Sequence, residues 1–200
     1  GPGGYVAAIR AAQLGAEVTL IEKRDLGGTC LNRGCIPTKV LLHTSERLEE
    51  IKNDYDEIGI EVGAAKVDWI KLQKRKEKTV KKLTGGVDSL LRKNKVTKII
   101  GEGKFKNKNQ LLVKTADGTA GTVDFDYAVI ATGSKPVVPP LPGANLPGVI
   151  TSDEALSLGE VPESMVIIGG GVIGAEFAAV YSALGCRITI VEMLPKTRTS

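Results

Sequence analysis

The chain has 200 residues, 42% hydrophobic and 25% charged, an ordinary globular balance with enough length for one domain or two small ones. Its 24 glycines and 9 prolines gather at turns without a fixed period, which excludes collagen-like and low-complexity chains. A net charge of +4 and only eight aromatic residues argue against nucleic acid as a partner, and three cysteines are too few for a disulfide-dense secreted scaffold. A reducing compartment, the cytoplasm, is therefore expected.

In chain order, Gly4 to Leu14 reads as a helix closed by Gly15 as its C-terminal cap, followed by a strand from Glu17 to Ile21. After a turn at Gly27 and Gly28, a second helix spans Cys35 to Lys52. A third starts at Asp68, its N-cap, and runs to Lys93. Its spacing buries Trp69, Leu72, Val80, Leu83, Val87 and Leu90. Between Lys71 and Lys82 seven of 12 residues are basic, and this run reads as the solvated face of the same helix.

From Lys98 to Thr132 the pattern changes to short β-branched runs with turn signals at Gly101 to Gly103, Lys106 to Asn109 and Asp117-Gly118. This reads as a small antiparallel excursion that ends in a buried strand, Tyr127 to Ala131. Five prolines between Pro136 and Pro147 then mark an extended crossing. Beyond it, Met165 to Cys186 is a 22-residue stretch with Glu176 as its only charge. Gly169, Gly170 and Gly171 divide that stretch into a β-branched run and an Ala-rich run, so it reads as strand, turn and helix rather than as a membrane span.

The sequence repeats itself. Residues 1–22 align without a gap on 171–192, with seven identities: Gly1/Gly171, Gly4/Gly174, Ala8/Ala178, Leu14/Leu184, Gly15/Gly185, Thr19/Thr189 and Glu22/Glu192. In the second copy a strand from Val166 to Ile168 leads into Gly169-x-Gly171-x-x-Gly174, a helix, and a second strand ending in Glu192, 18 residues after the last glycine. That order suits a dinucleotide: the first glycine makes the tight turn, the second lets backbone approach a pyrophosphate, and the third lets helix pack on strand. The carboxylate of Glu192 accepts from ribose hydroxyls and repels a 2′-phosphate, favouring NAD over NADP, although Lys196 and Arg198 follow closely. Glu176 reads as a capping or locally paired residue. The first copy keeps Gly1, Gly4 and Glu22 but not the preceding strand, so the chain is expected to be a piece truncated inside a phosphate loop and again at its far end.

Between the copies lies Gly27 to Lys39, reading GGTCLNRGCIPTK. Two cysteines five residues apart, where a loop enters a helix, bridge if the turn distorts, and Gly34 makes distortion easy. The helix N-terminus, with Arg33 beside it, favours a thiolate here. A structural disulfide stays open as an alternative. A zinc site would have to draw on Cys186 and His43 with a spacing that is not CxxC, and no metal is expected. Cys186 reads as a small core residue, replacing Ala16 of the first copy, and His43 as a helix-face residue.

The GGTCLNRGCIPTK stretch resembles the redox signature of the flavin-dependent pyridine nucleotide-disulfide oxidoreductases, and within them the branch that oxidises dihydrolipoamide. The opening GPGG, Ala131-Thr132-Gly133-Ser134 and the GGGVIG motif extend the likeness over nearly the whole chain. The resemblance implies an α/β fold with two Rossmann-like units, FAD then NAD. The expected boundaries are an FAD domain over 1–135, a crossover over 136–150 and the start of an NAD domain over 151–200. It implies that Gly1, Gly4, Glu22, Gly103, Thr132, Gly133 and Ser134 hold FAD, with Gly28, Thr29 and Lys39 toward its flavin end. Gly169, Gly171, Gly174, Glu176 and Glu192 would hold NAD. Cys35 resembles the flavin-proximal thiol and Cys30 the thiol that exchanges with substrate.

The implied activity is electron transfer from dihydrolipoamide through the Cys30–Cys35 pair and FAD to NAD. Its implied partners are a lipoyl domain of a 2-oxo acid dehydrogenase or glycine cleavage complex and a second copy in a homodimer. Many relatives carry a small apolar residue where Arg33 stands. The family's catalytic histidine and dimer interface belong to regions outside this chain, so the 200-residue piece alone is expected to be inactive. Two other readings are a glutathione or mercuric reductase and a non-catalytic dinucleotide-binding module.

Overall fold

The structure, a computed structural model, describes residues 1–195, so Lys196 and Arg198 lie outside the described residues. In chain order the elements are α1 (Pro2–Gln13), β1 (Thr19–Glu22), α2 (Gly28–Arg33), α3 (Cys35–Asn53), α4 (Trp69–Lys93), β2 (Thr97–Asn107), β3 (Gln110–Thr115), β4 (Ala120–Asp124), α5 (Ser152–Ala155), β5 (Ser164–Ile168), α6 (Val172–Ala183) and β6 (Arg187–Val191). The chain is α/β throughout, as the motifs require. It divides into two compact units, one of 1–32 with 80–135 and one of 33–79 with the chain from 136 onward. This division differs from boundaries read along the sequence, because α3 and the start of α4 pack with the second glycine-rich motif.

In the first unit, α1 begins on Pro2, whose missing N–H is harmless in a first turn, and stops where Gly15 takes φ +95°. The strand β1 then pairs in parallel with the start of β2, from Thr19 opposite Thr97 to Glu22 opposite Ile100. Beyond that point β2 turns its ladder to β3, and β3 pairs with β4, both antiparallel. Gly101 sits where the partner changes: a Cβ there would lie 2.8 Å from the Lys114 carbonyl oxygen, so only glycine fits. Gly101 to Gly103 is thus part of a strand, not a turn. The other two turn signals do join strands, and Asp117 accepts from the Thr119 N–H at 3.0 Å beside Gly118 at φ +86°.

Tyr127 to Ala131 is not a buried strand. The segment has no ladder partner among the described residues, and Tyr127 is 94% exposed. Its β-branched composition gives propensity, but a strand needs a neighbour to satisfy its backbone.

α4 lies on the predicted residues, and Asp68 accepts from the Lys71 N–H at 3.0 Å as its cap. Its apolar stripe differs in two places from the sequence expectation. Leu91 is buried, whereas Leu90 and Leu83 are exposed, because the stripe steps by four residues after Val87. Lys76, inside the supposedly solvated basic run, is buried. Burial pushes its ammonium below the ordinary lysine range.

The second unit is built around Tyr181, Leu41 and Val180, all fully buried, with Leu72, Leu156, Phe177 and Cys186 against them. Phe177 stacks on the Tyr181 ring with centroids 6.4 Å apart, and Trp69 lies 5.9 Å away. Three side chains from this core anchor the 151–158 segment. The Tyr181 hydroxyl donates to the Ala155 carbonyl, the Lys76 ammonium to the Leu156 carbonyl, and the Trp69 indole N–H to the Leu158 carbonyl at 2.9 Å. At its start, Thr151 and Glu154 form a capping box around α5. Strands β5 and β6 pair in parallel from Ser164 opposite Arg187 to Ile168 opposite Val191.

The stretch from Met165 to Cys186 is strand, glycine turn and helix, and no helix among the described residues is long and apolar enough to cross a membrane. The repeat is also structural. Helices α1 and α6 match end for end at an offset of 170 residues, and Gly15 and Gly185 both take φ +95°.

Burial raises the Tyr181 hydroxyl from 10.0 to about 12. Its neutral form is favoured in the folded chain, so its contribution is complete below pH 10 and is lost as pH rises toward 12. Tyr181→Phe is expected to lose about 1–2 kcal/mol at neutral pH, because the Ala155 carbonyl loses its donor. It is also expected to flatten the fall in stability over the alkaline window, as measured by urea unfolding at stepped pH.

Candidate functional site

In the first unit the glycines of the opening motif converge with the turn after β1. Gly28 takes φ +65°, and a Cβ on it would stand 2.3 Å from the Gly1 Cα, so these two backbones meet where no side chain fits. Gly4 faces the Ala131 methyl, its own Cβ position 3.6 Å from it, which sets the start of Thr132, Gly133 and Ser134 beside the first turn of α1. Glu22 ends β1 with its Oε2 3.6 Å from the Gly1 nitrogen, and its Oε1 accepts from the Arg24 N–H at 3.0 Å. The structure thus brings together Gly1, Gly4, Glu22 and Gly28. Gly103 lies farther along β2, packed on Ile21, and Thr29 is exposed on α2.

In the second unit Gly169 takes φ +108° and its N–H continues the ladder to the Val191 carbonyl at 2.8 Å. Gly171 is the extended N-cap of α6, and a Cβ on it would meet nothing within 4 Å. Gly174 is the opposite case: its Cβ would fall 2.2 Å from the Gly169 carbonyl oxygen. Hence one glycine keeps space open and the other closes helix onto loop. Glu192 accepts from the Gly170 N–H at 2.7 Å and the Leu194 N–H at 2.8 Å. Those backbone donors, Leu194 first, hold its carboxyl below the usual range, so the glycine loop faces a fixed negative charge.

α2 is a short helix that the sequence reading treats as loop, and it carries Cys30 half-buried. Cys35 is an exposed thiol at the first position of α3. Gly34 caps α3 without a side chain, leaving first-turn N–H groups that favour negative charge beside Cys35. Cys186 is buried in the core, which pushes its thiol up, and His43 is exposed on α3; both stand as read.

Two ion pairs in this unit were not apparent from spacing. Lys39 lies 3.7 Å from Glu176, so Glu176 pairs across the fold rather than locally. The Arg33 guanidinium lies 3.5 Å from Asp153. Lys76 could have been found: it falls between Leu72 and Val80 on the apolar stripe of α4.

The whole chain, residues 1–200, matches the family described as pyridine nucleotide-disulphide oxidoreductase. The chain belongs to this family. Among curated members it is 49% identical over 193 residues to the dihydrolipoyl dehydrogenase of Geobacillus stearothermophilus, covering 96% of this chain and 40% of that protein. It is 47% identical over 198 residues to the dihydrolipoyl dehydrogenase of Trypanosoma brucei brucei, covering 98% and 41%. Among solved structures, LpdA of Mycobacterium tuberculosis superposes with a TM-score of 0.89 at 25% identity, covering 98% of this chain and 44% of that one. The HOCl-induced flavoprotein disulfide reductase RclA of Escherichia coli gives 0.83 at 32%, covering 99% and 41%. The chain therefore spans about two fifths of the length of these pyridine nucleotide-disulphide oxidoreductases.

Gly171→Ala is expected to keep full stability, because its backbone suits alanine and the space is empty, while weakening nucleotide binding in proportion to the lost phosphate approach. Gly174→Ala is expected to destabilise by about 1–3 kcal/mol through overpacking against the Gly169 carbonyl. Urea unfolding and NADH titration of the two variants separate these effects.

Proposed function

We propose that the intact protein oxidises dihydrolipoyl groups with NAD as final acceptor, using FAD. The carrying observation is that two matched glycine-opened helices, each followed by a strand that leads to a glutamate, flank in sequence a cysteine pair of which Cys30 lies in α2 and Cys35 begins α3. The residues fit two dinucleotides. Open space at Gly171, the ionised Glu192 beside the same loop, and the side-chain-free meeting of Gly1 and Gly28 are the features a pyrophosphate and ribose demand. When bound, the flavin and nicotinamide supply acceptance of an electron pair and of hydride, which no side chain offers.

Gly1, Gly4, Glu22, Gly28, Thr29, Gly103, Thr132, Gly133 and Ser134 are assigned to FAD, with Lys39 toward its flavin end. Gly169, Gly171, Gly174, Glu176 and Glu192 are assigned to NAD. The domain labels follow: an FAD domain over 1–135, a crossover, and an NAD domain opening at 151. With Glu192 ionised, a 2′-phosphate would meet like charge at the ribose, which supports NAD over NADP.

The cysteines perform the thiol chemistry. Starting from the oxidised pair, one thiolate of the dihydrolipoyl group attacks Cys30 Sγ, breaks the Cys30–Cys35 bond and releases Cys35 as a thiolate. The second substrate thiol then displaces Cys30 and closes the substrate's own disulfide. The substrate has lost two electrons and two protons, and the protein pair has gained the electrons. A lipoyl domain of a 2-oxo acid dehydrogenase or glycine cleavage complex is the proposed partner, a homodimer the proposed assembly, and the cytoplasm the proposed compartment.

The test is NADH formation from dihydrolipoamide by the intact FAD-loaded protein. Cys30→Ser and Cys35→Ser should each lower turnover by about a thousandfold or more while leaving the flavin bound. Turnover that survives either change would overturn the proposal. Glu192→Ala should shift preference toward NADPH by lowering affinity for NADH and relieving repulsion of the extra phosphate, read as the ratio of the two kcat/KM values.

A further inference from the structure

The densest run of cations in the chain, between Lys71 and Lys82, takes part in no step of the proposed reaction. Its first two turns lie on α4 and wholly within the second unit. Lys71, Lys74, Arg75 and Lys78 stand at i, i+3, i+4 and i+7, which places all four on one face of the helix over about 10 Å of its axis. All four are exposed, whereas Leu72 and Lys76 are buried on the side turned to the core.

The ion pairs of α4 sit toward its ends. Asp68 lies 3.3 Å from Lys71, and Asp88 lies 3.0 Å from Arg92. Between them Lys74, Arg75 and Lys78 have no carboxylate at ion-pair distance among the described residues, and Glu77, the one acid of the run, makes no ion pair there either. Like charges three and four residues apart repel on a helix, so this face favours whatever brings negative charge to it.

The chemistry of the occupant follows from what the face lacks and how far it extends. It carries no aromatic ring on which a base would stack, and the apolar side of α4 is spent on the core, leaving nothing on this face to insert into lipid. Four charges over two turns match carboxylates repeated along a single segment of protein. We infer that Lys74, Arg75 and Lys78, continued by Lys71, form a docking face for an acidic protein segment. The inference stands apart from the oxidation of dihydrolipoyl groups, and its test needs no turnover.

The intact protein is titrated into fluorescein-labelled poly-L-glutamate at about 20 mM NaCl, with binding read as anisotropy. The triple variant Lys74→Gln, Arg75→Gln, Lys78→Gln should bind about tenfold more weakly. The control Lys104→Gln, Lys106→Gln, Lys108→Gln removes the same charge from exposed lysines of β2 and the turn after it, and should change binding by less than about twofold. Lys74→Arg with Lys78→Arg should bind like the parent. At about 200 mM NaCl the difference between parent and α4 variant should vanish. Equal weakening by the two triple variants would show net charge alone and overturn the inference, as would a parent that does not bind or a difference that survives the higher salt. Tighter binding of phosphatidylserine vesicles or of oligodeoxythymidylate than of poly-L-glutamate would assign the face to lipid or nucleic acid and overturn it too. Should the α4 triple variant fail to fold by circular dichroism, Lys78→Glu decides: about fivefold weaker binding sustains the inference and parent-like binding rejects it.

Discussion

Main chain packed on main chain, with no room for a Cβ, is the constraint on which both halves of the chain depend. At Gly28 and Gly1, and again at Gly174 and the Gly169 carbonyl, the backbone approaches itself more closely than any side chain allows. Each approach fixes where a helix begins relative to the turn that faces it. The position of a helix N-terminus decides where its unpaired N–H groups point, so the capacity to hold a phosphate is set by these contacts before any ligand arrives.

The second unit shows how a small core supports such a loop. Tyr181 presents a ring to Phe177 and Trp69 and a hydroxyl to the Ala155 carbonyl, so one residue supplies both packing and a hydrogen bond to an otherwise unpaired backbone group. Lys76 reaches the same segment from α4, itself buried, with its ammonium on the Leu156 carbonyl just beyond α5 and on the Ser157 hydroxyl. Through these contacts the 151–158 segment becomes rigid without regular structure beyond one short helix. Helix α3 packs its Leu41 into the same core, and Ser45 donates to the Val180 carbonyl at 3.3 Å, tying it to α6.

Features written by local rules were readable from residues alone. Glycine-terminated helices, the two-glutamate repeat, the hairpin turns and the glycine-divided apolar stretch all appear where spacing puts them. Contacts between distant segments were not. Arg33 with Asp153 and Lys39 with Glu176 are separated by more than a hundred residues, and no periodicity announces a pair of that kind. The 127–131 segment failed for a related reason: β propensity belongs to a residue, but a strand belongs to a pair of segments. Lys76 was masked by composition, since a cation inside a basic run looks solvated until its place on the apolar stripe is counted.

The duplication has a consequence for how freely this fold can vary. Helices α1 and α6 have the same length and the same closing geometry, yet their 22-residue units share only seven residues. Two versions of one architectural unit within a single chain mark those seven positions as the grammar and the rest as vocabulary. A combinatorial library that holds the glycines, Ala8/Ala178, Leu14/Leu184, Thr19/Thr189 and the terminal glutamates, and randomises what lies between under an apolar pattern, starts from a tolerance that this molecule already demonstrates twice.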